Sequence, residues 1–211
     1  MKVALTGGIA CGKSLLSKFL NELGVETLDA DDVVHTLLPD PEERRRIAAE
    51  VFADPEKRKE LEARLHPIVK ERIDEWIEGP GVRSRNRPLR VGATLGEATE
   101  PSGASAEGSG VRGQESGVRV AIIPLLFEAH WEKNFDIICC VASSRETQIE
   151  RMIATRGMSR AEAEARLAAQ LPVEEKARRS HYVIHNDGTA DELRAEAQKL
   201  VAWLKTSTLQ L

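Results

Sequence analysis

The sequence predicts an α/β fold in which a five-stranded parallel β-sheet lies between layers of helices. Five short apolar segments have the length and composition of strands, and helical patterns separate them along the chain. Strands that alternate with helices favour parallel pairing. With 211 residues, of which 41% are hydrophobic, the chain is long enough for one domain with a sizeable core.

The elements follow in order from local patterns. The first 28 residues contain a strand, a glycine-bearing turn, a helix and a second strand, which together form a βαβ unit. Ser159 with Glu162, and Thr189 with Glu192, are capping boxes that predict the starts of two late helices. The predicted strands are 2–6, 25–28, 118–123, 136–141 and 182–184, and the predicted helices are 15–23, 32–78, 145–155, 160–171 and a last one from 190.

One break is predicted inside the long charged helical segment 32–78. The residue before a proline avoids the α region, so Pro67 predicts a break near His66. Proline also suits the first turn of a helix, and we therefore expect a new helix to begin at Pro67.

Composition excludes several classes of protein. The net charge of −4 argues against a general nucleic-acid coat, which needs a strongly basic face. No apolar run is long enough for a bilayer span, and the N-terminus reaches glycine too early for a signal peptide. Cys11, Cys139 and Cys140 give neither a disulfide framework nor a zinc spacing. We expect a cytoplasmic protein with reduced cysteines and neither nucleic-acid nor membrane partners, in which Cys139 and Cys140 lie in a buried strand.

The segment Gly7–Ser14 matches the phosphate-binding pattern G-x-x-x-x-G-K-[ST]. Glycines allow successive backbone N–H groups to curl around phosphate oxygens, and the helix that follows presents its N-terminus to the same anion. Lys13 is expected to reach the β- and γ-phosphates, and the Ser14 hydroxyl to complete a Mg²⁺ shell. This segment, the P-loop, predicts a nucleoside triphosphate ligand with Mg²⁺. The residues expected to bind ATP here are Gly8, Ile9, Ala10, Cys11, Gly12, Lys13, Ser14 and Leu15.

Two interpretations of Cys11 stay open. A thiol among so many N–H dipoles can have a depressed pKa and oxidise easily. Alternatively, Cys11 is a small residue that the loop tolerates.

The second predicted strand ends in two carboxylates, Asp29 and Asp31. Because the carboxyl ends of parallel strands converge on the ligand crevice, we expect both beside the γ-phosphate region. A carboxylate there can accept the proton of an attacking hydroxyl or help to hold Mg²⁺. The alternative is that both cap the next helix, since Asp favours that position.

Arginines are dense between residues 151 and 179. A helical, arginine-rich segment late in such a fold suits a lid that closes on the nucleotide, excludes water and neutralises the transferring phosphoryl group. We place this lid at 151–178. The alternative is a solvated helix with i,i+4 ion pairs, which we expect for Arg160 with Glu164.

The segment 79–117 differs in composition from the rest of the chain. It holds nine of the 15 glycines. It also contains the first copy, and part of the second, of a Ser-Gly-Val-Arg motif that recurs after seven residues. This composition predicts a disordered or mobile insertion, and its place between a helix and a strand puts it opposite the ligand crevice. We expect it to be dispensable, because its five arginines and four glutamates nearly cancel as a binding arm.

Together these motifs resemble the dephospho-CoA kinase family. The resemblance runs in that family's order over most of the chain outside 79–117, and the Asp-Ala-Asp, His-Pro and Pro-Leu-Leu-Phe-Glu motifs are its specific part. The segments that carry it are 6–14, 29–31, 65–68, 124–128, 151–170 and 183–188.

The resemblance implies a single P-loop kinase domain over 1–211 that transfers the γ-phosphoryl group of ATP to the ribose 3′-hydroxyl of dephospho-CoA. It implies that Asp31 is the general base, that Arg151 stabilises the transferring group, and that 32–78 is a helical acceptor-binding region. The other residues it implies are Arg156 and Asn186 for ATP, and Asp29, Arg44, Arg45, His66, Leu126, Phe127 and Glu128 for the acceptor.

The chain departs from the family pattern at four places, of which one is the segment 79–117, which has no counterpart in the family. Ala10-Cys11 stands where the family usually has Gly-Ser, the helical region 34–52 is shorter than usual, and Ser180-His181 replaces a common Ala-Asp. The alternatives are a kinase for another nucleotide or small metabolite, a P-loop switch that hydrolyses ATP slowly, and a degenerate family member. A monomer is the favoured oligomeric state.

Overall fold

A computed structural model describes residues 1–38, 40–79 and 118–208 and confirms the predicted α/β architecture. Five parallel strands form one sheet in the order β2-β3-β1-β4-β5, so the first strand is central. The strands are β1 Val3–Gly7, β2 Glu26–Asp29, β3 Arg119–Ile122, β4 Ile137–Ala142 and β5 Tyr182–His185.

Helices cover both faces of this sheet. They are α1 Lys13–Glu22, α2 Ala30–Leu37, α3 Pro41–Ala53, α4 Pro55–Glu78, α5 Arg145–Arg156, α6 Arg160–Ala168, α7 Val173–Arg178 and α8 Ala190–Thr208, with a 3₁₀ turn at Glu132–Asn134. The turn and α7 were not predicted, and α6 ends three residues earlier than expected. The predicted insertion 79–117 lies outside the described residues except for Gly79.

The central strand shows why the sheet is buried on both faces. Val3 and Leu5 point into an apolar cluster with α1 and α8, whereas Ala4 points into a second cluster with α2 and α4. This alternation is the period of two expected of a strand, and helices on both faces leave every β1 residue buried. Cys139 and Cys140 lie in β4 as predicted, and burial raises the pKa of each thiol to about 12.

Two helix starts were predicted correctly from residues whose side chains accept hydrogen bonds from the free N–H groups of the first turn. Both predicted capping boxes form, at Ser159 with Glu162 and at Thr189 with Glu192. Asp40 and Asp54 also cap helices, and each precedes a proline in the first turn.

The predicted break at His66 is wrong, because α4 continues through Pro67 to Glu78. The chain breaks instead before Pro55, where the Asp54 carboxylate accepts hydrogen bonds from the first N–H groups of the helix. Beyond Pro67, Val69 and Ile73 are buried in the apolar cluster that packs on the sheet. Tertiary packing therefore outweighs the local cost of a proline inside the helix.

Arg119 at the start of β3 contacts both the end of α4 and the start of β2. The Arg119 guanidinium donates to the Trp76 carbonyl oxygen at 3.0 Å and to the Glu26 carboxylate at 2.6 Å.

In the described parts of the chain, no helix has the length and apolarity that crossing a membrane requires.

We predict that Pro67→Ala stabilises the protein. Alanine restores an N–H that can donate to the Ala63 carbonyl, and an interior proline costs about 3 kcal/mol relative to alanine. The greater chain entropy of the unfolded variant offsets up to about 1 kcal/mol of this gain. Urea denaturation should therefore show an increase of about 2 kcal/mol in the free energy of unfolding.

Pro55→Ala is the matched control for this prediction. Pro55 stands at the start of the same helix, where the missing N–H has no intrahelical partner, so its replacement should not stabilise the protein. An unchanged or reduced stability of Pro67→Ala would contradict the account of α4.

Candidate active site

The candidate site lies at the carboxyl ends of the five strands, where their following segments meet. The P-loop follows β1, the Asp29–Asp31 segment ends β2, and a turn at 124–130 follows β3. Ser143 follows β4 and Asn186 follows β5. This edge is where ligands bind in open parallel sheets.

Glycines in the P-loop are fixed by neighbouring backbone and side chains as well as by phosphate geometry. Gly7 has φ +148°, and a Cβ there would collide with the Val141 carbonyl oxygen. Gly12 has φ +93° at the N-terminus of α1, and a Cβ there would collide with the Asn186 amide. Ala10 adopts the left-handed region with φ +58°, although it carries a Cβ.

Lys13 lies folded over the P-loop. Its ammonium donates to the carbonyl oxygens of Gly7 at 3.1 Å and of Gly8 at 2.8 Å. Burial is the main cause that lowers the pKa of Lys13, while the negative charges of Asp29 and Asp31 act to raise it. The ammonium is therefore held where the loop can present it to a phosphate, within electrostatic reach of both carboxylates.

Asp29 and Asp31 take different positions. Asp29 caps α2, since its carboxylate accepts the Asp31 N–H at 2.9 Å, and burial raises its pKa. Asp31 is exposed in the first turn of that helix. The capping alternative therefore describes Asp29, whereas the Asp31 carboxylate faces solvent at the strand edge.

Asn186 is buried against the P-loop rather than at an open surface. Its side-chain amide donates to the Cys11 carbonyl oxygen at 2.9 Å, and its backbone carbonyl accepts the Ser143 hydroxyl at 2.6 Å. Cys11 is fully buried, and burial raises the pKa of its thiol. The structure thus favours the interpretation of Cys11 as a small buried residue over that of a reactive thiol.

Arg151 on α5 lies beside the P-loop. Its guanidinium donates to the Ser143 hydroxyl at 3.2 Å and to the Ala10 carbonyl oxygen at 3.4 Å. Arg156 is exposed in the last turn of the same helix. Arg160 forms the predicted surface pair with Glu164 and a second, two-point pair with Glu146.

The predicted lid 151–178 is not uniform. Ile9 and Ala10 of the P-loop pack against a small apolar cluster on α5 and α6, which connects the loop to the lid helices. In α7, Val173 and Lys176 are buried, and this helix packs against β1 and β4. Because α7 belongs to the core, the lid prediction is narrowed to α5, α6 and the segment that follows α6.

A cavity of about 350 Å³ lies between the P-loop and the lid helices. Gln148 faces it with an amide that donates to the Ser143 carbonyl at 3.0 Å, while the amide oxygen is buried without a partner among the described residues. The lining comprises Gly8, Arg145, Gln148, Leu167, Ala168, Gln170, Leu171, Pro172, Val173 and Glu174.

The residues implied for acceptor binding come from the turn after β3 and from the helical region. Leu126 and Phe127 are buried in the core, whereas Glu128 accepts the Leu171 N–H at 3.0 Å. The His66 ring contacts Trp131 edge to face with centroids 5.2 Å apart, so α4 touches the segment that follows β3.

Arg44 and Arg45 belong to α3. Arg44 donates to the Leu38 carbonyl oxygen, and Arg45 is exposed. The Arg44 hydrogen bond to Leu38 therefore links the start of α3 to the end of α2.

Sequence reasoning missed Ser143, Gln148 and Lys176. A signal existed for Ser143, because it is a polar residue directly after a buried strand, where the ligand edge lies. Gln148 and Lys176 stand among other polar residues of short helices, and no local pattern distinguishes them.

The comparisons with known proteins agree with this geometry. The dephospho-CoA kinase family model matches residues 1–43 and 108–192, which include the P-loop, both aspartates, Arg151 and Asn186. It omits 44–107, and therefore Arg44, Arg45 and His66.

Relatives and solved structures extend the match over nearly the whole chain. A dephospho-CoA kinase of Synechococcus sp. (strain JA-3-3Ab) is 36% identical over 93% of this chain and 90% of its own length. That of Geobacter sulfurreducens is 34% identical over 96% of this chain and 97% of its own. A crystal structure from Thermus thermophilus superposes with a TM-score of 0.66 at 28% identity and covers 97% of both chains.

More distant structures share the fold alone. A shikimate kinase from Acinetobacter baumannii has a TM-score of 0.56 at 15% identity, over 99% of this chain and 94% of its own. A similar sheet thus serves other P-loop kinases, and the family assignment rests on sequence. Because the family model matches more than half of the residues, in the two blocks that build this strand edge, the chain belongs to the dephospho-CoA kinase family.

Proposed function

We propose that this chain transfers the γ-phosphoryl group of ATP to the ribose 3′-hydroxyl of dephospho-CoA and releases CoA and ADP. The observation that carries the proposal is the convergence of Lys13, Asp31 and Arg151 at one strand edge, in a chain of this family. These are the cation, carboxylate and arginine that phosphoryl transfer requires.

In the proposed reaction, Asp31 is the general base. Its exposed carboxylate accepts the proton of the 3′-hydroxyl while the hydroxyl oxygen attacks the γ-phosphorus. The bond from the γ-phosphorus to the bridging oxygen breaks, and ADP leaves with that oxygen. Lys13 and Arg151 neutralise the charge that spreads over the transferring group.

The P-loop residues Gly8 to Leu15 bind the phosphates of ATP in this proposal. Mg²⁺ takes most of its ligands from phosphate oxygens and water, so one protein hydroxyl suffices, and Ser14 at the first turn of α1 fits that role. The ion would neutralise charge on the β- and γ-phosphates. Among the described residues, no group of three or more His, Cys, Asp or Glu side chains could hold a metal ion.

The acceptor would lie between the Asp29–Asp31 segment, the turn 124–130 and the helical region of α2 to α4. Leu126 and Phe127 contribute through the backbone of the turn, because their side chains are buried. His66, Arg44 and Arg45 are proposed contacts from the helical side, Arg156 is a proposed lid contact to ATP, and Asn186 supports the nucleotide site through the P-loop. We also infer a cytoplasmic location for this activity.

A coupled assay of ADP formation tests the proposal. The chain is supplied with ATP, Mg²⁺ and a panel of hydroxyl acceptors that includes dephospho-CoA. ADP formation that depends strictly on dephospho-CoA supports the proposal, and dependence on another acceptor favours a different metabolite kinase. Hydrolysis without any acceptor favours a switch protein, and bound nucleotide without turnover favours a degenerate member.

Asp31→Asn should lower kcat by at least about a hundredfold, the usual contribution of a general base. The amide keeps the size of the side chain but cannot take the proton. ATP affinity measured by calorimetry should change little. Asp32→Asn is the control, since Asp32 is the next exposed carboxylate on α2. Equal losses in both variants, or turnover near wild type in Asp31→Asn, would remove Asp31 from the mechanism.

Lys13→Ala should weaken ATP binding by about ten- to a hundredfold, the scale of a lost charge-assisted hydrogen bond, and should also lower kcat. Lys18→Ala provides the comparison, because Lys18 is an exposed lysine on the same helix. Calorimetric titration with ATP separates the binding effect from the kinetic one. Tight ATP binding by Lys13→Ala would contradict the placement of the phosphates over this loop.

A further inference from the structure

Lys176 on α7 is a fully buried ammonium group that no step above uses. It donates to the Pro124 carbonyl oxygen at 2.8 Å and forms an ion pair with Glu128 at 2.8 Å. Both partners belong to the turn 124–130, which follows β3 at the ligand edge. A buried charge is tolerated only where such partners compensate for the loss of water.

Glu128 extends this contact to the base of the lid. The oxygen that pairs with Lys176 also accepts the Leu171 N–H at 3.0 Å, and Leu171 lies between α6 and α7. Pro124 is held from the other side, since its carbonyl also accepts the Thr6 hydroxyl of β1 at 3.3 Å. The pair therefore joins the turn, the central strand and the end of the lid.

The pair also lies near the phosphate site. After burial, which is the main cause, the positive charge of Lys176 acts in the same direction to lower the pKa of Lys13. The two ammonium groups are thus within electrostatic reach of each other. Displacement of the turn that holds Lys176 would therefore alter the surroundings of Lys13, the proposed phosphate ligand.

We propose that Lys176 and Glu128 form a positioning pair that fixes the acceptor-side turn 124–130 and the base of the lid relative to the P-loop. The pair does not take part in the chemical step. It holds the turn's backbone where the acceptor hydroxyl meets the γ-phosphate. This inference rests on the proposed function, because it assigns the turn to the acceptor.

The double variant Lys176→Met/Glu128→Gln tests the proposal. It removes both charges together, which avoids leaving one of them buried and unpaired, and keeps side chains of similar size. The single variant Glu128→Gln keeps an amide oxygen that can still accept from Leu171 and Lys176, and serves if the double variant does not fold. Lys199→Met/Glu196→Gln is the matched control, because that pair lies exposed on α8.

Steady-state kinetics and amide hydrogen exchange measure the effect of the double variant. The kcat/KM for dephospho-CoA should fall by about ten- to a hundredfold, the cost of a small misplacement of a reacting group, while the KM for ATP stays within about twofold. Amide hydrogen exchange should quicken at Ala129, His130 and Trp131, whose N–H groups are bonded within the turn. The control pair should change neither quantity.

Other results would contradict either the positioning role of the pair or the proposed function. A double variant that loses thermal stability but keeps the wild-type kcat/KM for dephospho-CoA would make the pair structural only, and unchanged exchange in the turn would refute positioning. If the wild-type chain turns over another acceptor, the proposed function fails, but the exchange measurement still decides whether the pair fixes the turn. If only Glu128→Gln folds, the same fall in kcat/KM and faster exchange in the turn support the pair, and wild-type values of both overturn it.

Discussion

Close packing of the P-loop backbone against its neighbours is the constraint on which the site depends. The loop leaves β1 where the Val141 carbonyl approaches Gly7, and it enters α1 where the Asn186 amide approaches Gly12. A Cβ at Gly7 would collide with the β4 backbone, and one at Gly12 would displace the Asn186 amide from its place against the loop. Phosphate binding, the start of α1 and the packing of the central strands are therefore satisfied by the same two glycines.

Charge burial at this edge follows from the same arrangement. Helices on both faces exclude water from the sheet, so Lys13, Lys176 and Asp29 are all partly or wholly desolvated. Each is held by backbone groups or an opposite charge, as a buried ion requires. Asp31 lies outside this buried region and is exposed, which suits the role of general base proposed for it.

The parts of the fold that could be predicted were those that local chemistry determines. Strand positions followed from short apolar runs, and Ser159 and Thr189 marked helix starts because their hydroxyls satisfy free N–H groups one turn later. The continuation of α4 through Pro67 could not be predicted, because it depends on Val69 and Ile73 packing on a sheet that is distant in sequence. Lys176 was missed for the same reason, since its partners lie about fifty residues earlier.

In the candidate site, too, some parts are determined by local chemistry and others depend on distant contacts. This difference explains which residues the family model matches. On the phosphate side, a Cβ at Gly7 or Gly12 would collide with neighbouring groups, so few sequences can build the loop and its motif is recognisable. On the acceptor side, α3 and α4 present helix faces that many sequences can form, and the family model passes over 44–107. In that region the sequence pattern is weak, and the edge-to-face packing of His66 on Trp131 is the contact that ties α4 to the rest of the proposed site. That contact joins the helical region to the segment after β3, so the two parts proposed for the acceptor site adjoin each other beside the turn that contains Glu128.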